Sequence, residues 1–285
     1  MSADRMITAG DIQYEPPQTK IYLLGPRVFA LTAGDLIPQS AICKRTFAEF
    51  QGNSNASVLD VAEGYARHFV DYLRNRNVAE FLTPVGLTLE EFHKNLAKEN
   101  TAFTKDTLRR LYSSELETET IIAGIDALGP HIYKVIDPTG VVETHDDVGF
   151  ASIGVGAWHA QSQFMQMAYT RTWSFPWTLF LIYLAMKRSQ IAPGVGKAID
   201  MWMIGPQQVG ELTSDPIFKT LEEVYANYGG QEFAARLAAF ASVQTTFEEY
   251  LERAKEAAAP QGQGKADADK EGISGGTEEG ESPTA

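Results

Sequence analysis

The spacing of apolar residues changes character several times along the chain. Up to about residue 35 it is short-range. Lys20-Ile21-Tyr22-Leu23-Leu24 and Val28 to Thr32 are compact apolar runs on either side of Gly25-Pro26-Arg27, which predicts a hairpin. Glu15-Pro16-Pro17 marks a turn just before it. From there to about residue 115 the spacing is helical. Ile37 to Phe50 predicts one helix, stopped at Gly52-Asn53-Ser54-Asn55. A second begins near Ser57, where Val58, Val61, Ala62, Tyr65, Phe69, Val70 and Leu73 draw a single buried stripe. Thr88 followed by Glu90 and Glu91 is a helix start, and Leu108 to Leu116 predicts one more helix.

Short apolar runs return at Thr120. Thr120 to Asp126 and His131 to Ile136 predict strands joined by a turn, and Asp137-Pro138-Thr139-Gly140 closes the second. Val141 to Glu143 and Phe150 to Ile153 are predicted as further strands. Residues 157 to 172 and 177 to 190 predict two helices, Ala198 to Ile204 a last strand, and 215–228 and 231–257 two closing helices. Strands and helices come in blocks instead of strict alternation, so a doubly wound parallel sheet is disfavoured and an α+β architecture of antiparallel sheets is expected. From Pro260 onward there is no aromatic residue and one aliphatic, Ile273; residues 258–285 are therefore expected to form a disordered acidic tail.

Composition narrows the function. The 285 residues carry a net charge of −13, which argues against a nucleic-acid partner, since binding phosphates needs a surplus of lysine and arginine. The single cysteine, Cys43, rules out an internal disulfide and any multi-cysteine metal centre. The five histidines lack HExxH or HxH spacing, so a histidine-rich metal site is not expected. No cofactor is expected. The opening residues lack the apolar stretch of a signal peptide. The longest apolar run, Trp173 to Met186, falls short of the roughly 20 residues a bilayer span needs. A soluble, cytoplasmic protein without a membrane partner is expected.

Several local patterns occur together in one order. Ala3-Asp4-Arg5-Met6-Ile7-Thr8-Ala9-Gly10 resembles the "AD-x-R-x-T-x-G" segment of proteasome β-subunits and of the bacterial proteasome-related threonine peptidase. Lys20 follows Asp4 by sixteen residues and Gly34 follows Lys20 by fourteen. These spacings resemble those of the family's catalytic aspartate, catalytic lysine and oxyanion-hole glycine. Ala123 to Gly140 is similar to its second hairpin, Ile153-Gly154-Val155-Gly156 to its "IGSG" turn, and Pro193 to Asp200 to the entry to its late strand. The likeness covers about residues 3–50 and 118–210. Residues 74–117 have no parallel and are expected to be a helical insertion in one domain spanning 1–257.

The resemblance implies an N-terminal nucleophile hydrolase, a four-layer αββα sandwich of two antiparallel sheets, that hydrolyses peptide bonds. In such an enzyme the free amine of an N-terminal threonine acts as general base for its own hydroxyl. The resemblance assigns Lys20 to ease formation of the alkoxide, Asp4 to hold Lys20 charged and oriented, and the Gly34 amide to the oxyanion. It also implies a homo- or hetero-oligomeric ring, a peptide substrate and an ATP-dependent unfoldase as partners. The family places its threonine sixteen residues before the aspartate, whereas Asp4 has three residues before it. The reading is thus of a chain lacking the first strand and nucleophile, with an inactive scaffold or assembly subunit of the same fold as the alternative. Ser2 stands too near Asp4 to attack, Thr8 matches a structural threonine, Val155 stands where the family has a serine, and the family's second aspartate has no counterpart.

Other conspicuous residues have plainer explanations. Cys43 is expected to be a small buried hydrophobe, and His145-Asp146-Asp147 a solvated acidic loop. Trp158 and His159 are expected to pack or to meet another subunit. So are the aromatics Trp173, Phe175, Trp177, Phe180 and Tyr183.

Overall fold

The computed structural model of the chain describes residues 1–9, 12–96, 101–205 and 209–258. Of the expected tail, 258–285, the first residue ends a helix and the others lie outside the described residues. In chain order the elements are β1 (Ser2–Asp4), β2 (Ile7–Ala9), β3 (Ile12–Tyr14), β4 (Ile21–Gly25), β5 (Val28–Gly34), α1 (Leu36–Phe50), α2 (Val58–Phe81), α3 (Leu89–Leu96), α4 (Ala102–Ser113), β6 (Thr118–Asp126), β7 (Gly129–Ile136), β8 (Val141–Thr144), α5 (Ala157–Gln166), α6 (Phe175–Ser189), β9 (Ile199–Ile204), β10 (Val209–Glu211) and α7 (Pro216–Ala258). The chain divides into two compact units, Met1–Asn227 and Tyr228–Ala285.

In the first unit every strand pairing is antiparallel. One sheet has five strands in the order β4-β5-β6-β7-β8, a second has the order β1-β9-β10, and β2-β3 is a separate ribbon. The mixture of helices and antiparallel sheets matches the α+β class expected of the blocked pattern.

Strand periodicity decides what each face meets. In β5, Val28 and Ala30 join Ile42 of α1 and Val58, Tyr65 and Phe69 of α2 in one core cluster. Phe29 and Leu31, one residue out of phase, belong to another, with Trp202 and Ile204 of β9 packed against it. The Phe29 and Trp202 rings lie 5.5 Å apart. β9 alternates in the same way: Ile199 and Met201 pack with Leu179 and Tyr183 of α6. Each such burial stabilises by about 1.5–3 kcal/mol.

Local chemistry sets the helix limits. Asp35 caps α1 by accepting the Ile37 N–H at 3.0 Å. Ser57 and Asp60 form a reciprocal capping box at the start of α2, as the sequence reading places it. Gly64 lets α2 approach α1, for a Cβ there would lie 2.4 Å from the Phe50 ring. Along residues 74–117, α2 continues to Phe81, and α3 and α4 close a satellite cluster around Leu82, Phe92 and Leu111. The buried Asn77 side chain ties it down by donating to Leu111 O at 3.0 Å.

Several expectations need correcting. Phe150 to Ile153 is not a strand. Phe150 instead stacks on Phe164 at 4.4 Å, which takes that segment onto α5. α5 stops at Gln166, not near 172. Ala168 turns left-handed (φ 49°), and the Ala168 and Tyr169 N–H groups donate to Met165 O and Phe164 O, a Schellman closure that ends the helix. α6 begins two residues early because Pro176 is accommodated in its first turn. The two closing helices are one, α7, running through Gly229 and Gly230. Among the described residues no helix is long and apolar enough to cross a membrane.

Candidate functional site

The first unit holds a cavity of about 1350 Å³. Its wall draws on the inner faces of β5 and β6, on β1 and β9, on the loop before α5, and on α6. Asp4, Lys20 and Gly34, the three residues singled out in the sequence, all line it.

Asp4 ends β1 and Lys20 immediately precedes β4. The Lys20 ammonium donates to Asp4 Oδ1 at 2.9 Å. The same oxygen accepts the Met6 N–H at 2.7 Å and the Gly196 N–H at 3.2 Å. Asp4 thus fastens the β1–β2 turn, the approach to β4 and the loop before β9. The two side chains are 18% and 19% exposed, which separates this contact from a loose surface pair. An ammonium has three protons. Among the described residues only Asp4 accepts one from Lys20, so two N–H donors remain for whatever enters the cavity.

Gly34 ends β5 opposite Thr118 with φ 98°. A Cβ at that position would lie 1.9 Å from Glu117 O, so glycine is required by backbone geometry alone. The glycine takes the chain into the N-terminus of α1, where Asp35, Leu36 and Ile37 also line the cavity. That end of the helix carries partial positive charge. The Gln39 side chain, on the first turn of α1, donates to Ala33 O and locks the corner.

Two further polar groups line the cavity and were not picked out in the sequence. Glu119 of β6 accepts the Gly154 N–H at 2.6 Å on Oε2 and the Lys134 ammonium at 3.0 Å on Oε1. It fixes the Gly154 turn (φ 80°) that leads into α5. The available signal was a carboxylate two residues ahead of the apolar pair Ile121-Ile122, in Thr118-Glu119-Thr120-Ile121-Ile122. His131 of β7 lies between two carboxylates, with Nδ1 2.6 Å from Asp146 Oδ2 and Nε2 3.3 Å from Asp126 Oδ1. Asp146 holds His131 above the ordinary imidazole range, Asp126 adds to it, and partial burial works against both. The expected solvated loop at 145–147 is therefore anchored: Asp146 also accepts the Ile132 N–H at 2.7 Å.

Arg5, beside Asp4, directs Nε and Nη2 to Oδ1 of the buried Asp200, which holds the guanidinium pKa up and ties β1 to β9. Ser152 of the glycine turn donates to Ala157 O at 3.0 Å, and Val155 is exposed. Cys43 is buried at 2% exposure within the α1–α2 core, and burial pushes its thiol up to about 12. The aromatic group divides: Tyr183 is in the core, whereas Phe175 and Trp177 are exposed, as is Trp158 at 81%. The described residues therefore leave Trp158 largely uncovered. Among the described residues no group of three His, Cys, Asp or Glu side chains is arranged to hold a metal ion.

No protein-family model matches this chain, and no curated protein sequence does.

Proposed function

We propose that this chain is a proteasome-like threonine-type peptidase subunit of the N-terminal nucleophile hydrolase class. The observation that carries the reading is the Lys20–Asp4 contact at 2.9 Å on the wall of a cavity that Gly34 also lines. The finer architecture in this reading is the four-layer αββα sandwich. Its support is that β5 and β9 turn Phe29 and Trp202 toward each other while their other faces pack on α1 and α2, and on α6, respectively.

In the proposed reaction the attacking threonine sits on a strand outside these 285 residues. Its hydroxyl oxygen attacks the scissile carbonyl while its own α-amine takes the proton. The Lys20 ammonium offsets the negative charge forming on the hydroxyl, and Asp4 keeps that ammonium in place. The carbonyl oxygen, now negative, takes a hydrogen bond from the Gly34 N–H, supported by the N-terminal end of α1. Collapse expels the amine, protonated by the threonine α-ammonium, and leaves an ester. Water then hydrolyses that ester and regenerates the hydroxyl. A ring of subunits in the cytoplasm, fed by an ATP-dependent unfoldase, completes this reading; the exposed Trp158 and Trp177 are suited to subunit contacts.

The second reading is an inactive scaffold of the same fold. One observation favours it: among the described residues no hydroxyl is hydrogen-bonded to the Lys20 ammonium. The experiment determines the N-terminus of the protein from its native source by mass spectrometry, then follows fluorogenic peptide hydrolysis by that species and by its Lys20→Ala variant. A threonine N-terminus and a loss of about 10²-fold or more in the variant support the peptidase. Turnover unchanged by Lys20→Ala refutes it, and a native chain that begins without threonine and is inert selects the scaffold.

A further inference from the structure

The second unit is built on the C-terminal part of α7, whose apolar residues keep a regular spacing. Phe233, Leu237, Phe240, Gln244, Phe247 and Leu251 are separated by 4, 3, 4, 3 and 4 residues. That is the seven-residue repeat of a coiled-coil seam, with the phenylalanines in one row and Leu237, Gln244 and Leu251 in the other. The apolar members are all open to solvent: Phe240 is 69% exposed and Leu251, the least exposed, 40%. Val243 and Tyr250 widen the stripe on one flank at 68% and 58%.

We propose that this helix pairs in parallel and in register with the same helix of a second copy of the chain. Three features select that occupant. The first is area. Taking an aromatic side chain as about 200 Å² and an aliphatic one as about 150 Å², the stripe exposes about 700 Å² per helix, or about 1,400 Å² for a pair. A stable interface needs about 1,200–2,000 Å², and a monomer seldom leaves a patch above about 600 Å² uncovered.

The second is Gln244. It is the one polar residue in the seam, and its amide donates to Glu248 Oε1 at 3.1 Å along the same helix. One N–H and the carbonyl oxygen remain to be satisfied if the seam is covered. The same amide on a second copy, at the same level across a parallel pair, supplies both a donor and an acceptor. A purely apolar groove supplies neither, and a polar residue at this kind of position is a device that fixes register. The third is charge. Parallel pairing puts Arg236 beside Ala241 and Val243 beside Glu248 of the second copy, so across these described flanking pairs no like charges oppose one another.

The test uses the full chain carrying Gln244→Cys, oxidised with diamide, which takes up two hydrogens as two thiols join. Cys43 is buried and its thiol pKa is raised to about 12, so the natural cysteine does not compete. Ser242→Cys, on the opposite side of the helix, is the control. The expected result is a covalent dimer through position 244 and none through 242, lost when Phe240→Asp is added while circular dichroism keeps its helical signal. Equal linkage at both positions overturns the proposal. So does the absence of linkage at 244, whether the chain sediments as a monomer, leaving the face to a different protein, or as an oligomer joined in another register.

Discussion

Replacing either member of the Lys20–Asp4 pair separates a supporting bracket from an ornamental surface contact, because the two substitutions leave very different residues behind. Asp4→Ala removes the one oxygen that accepts Lys20 Nζ, Met6 N–H and Gly196 N–H at 2.9, 2.7 and 3.2 Å. Hydrogen bonds to a charged group contribute about 1.5–3 kcal/mol each, and a partly buried donor left without a partner forfeits its desolvation as well. Partial exposure of the site lets water recover a share of this, so about 3–4 kcal/mol is expected for Asp4→Ala. Lys20→Ala removes a single bond; the carboxylate keeps both backbone donors, and about 1 kcal/mol is expected. Asp4→Asn, which keeps an oxygen for the two N–H groups, should fall between them. Urea unfolding of the three variants against the parent reads the order directly, with midpoints compared at constant slope. Equal losses below about 1 kcal/mol for Asp4→Ala and Lys20→Ala would show that the carboxylate braces nothing, and the role given to it in orienting the lysine would go with it.

The remaining predictions concern titration and reactivity. The imidazolium of His131 is favoured in the folded chain by Asp146 and Asp126, so its folded pKa is above its unfolded one. Its contribution is therefore fully present below the unfolded value, about 6.5, and is lost as pH rises through the raised folded value. Urea midpoints measured from pH 6 to 9 should fall more steeply in the parent than in His131→Gln; parallel profiles would refute the assignment. Cys43, buried with its thiol held up at about 12, should resist a thiol-specific disulfide reagent until the chain is unfolded. Rapid labelling of the native protein would mean that the α1–α2 core opens far more readily than its packing indicates.

Much of the fold could be read in the sequence because burial follows periodicity. The Val58-to-Leu73 stripe faces the core of the five-stranded sheet, and the hairpin at Gly25-Pro26-Arg27 is where the residues place it. The errors lie where local chemistry leaves two outcomes close together. Two adjacent glycines cost a helix about 1 kcal/mol each, which is enough to suggest a break at 229–230 but not enough to impose one between long helical flanks. Phe150 to Ile153 has the composition of a strand, and only the presence of Phe164 and Tyr169 decides that it is not one. At the candidate site, the resemblance to proteasome β-subunits pointed to Asp4, Lys20 and Gly34, and all three line one cavity. The third donor to Asp4, Gly196, lies 192 residues away and has no local signature. Glu119 was passed over because its meaning depends on a turn 35 residues further on.

The pairing of β1 with β9 sets Ser2 against Met201 and Asp4 against Ile199. Few contacts in a chain of this size bridge so long a loop, and such closures are slow because their entropy is spent before any contact rewards it. On a ribosome adding about 5–20 residues per second, β1 waits on the order of ten to forty seconds for its neighbour to emerge. The five-stranded sheet, whose last strand ends at Thr144, is in hand well before that. The smaller sheet, and with it the wall that brings Asp4 to the cavity, is therefore among the last parts of the molecule to be assembled during synthesis.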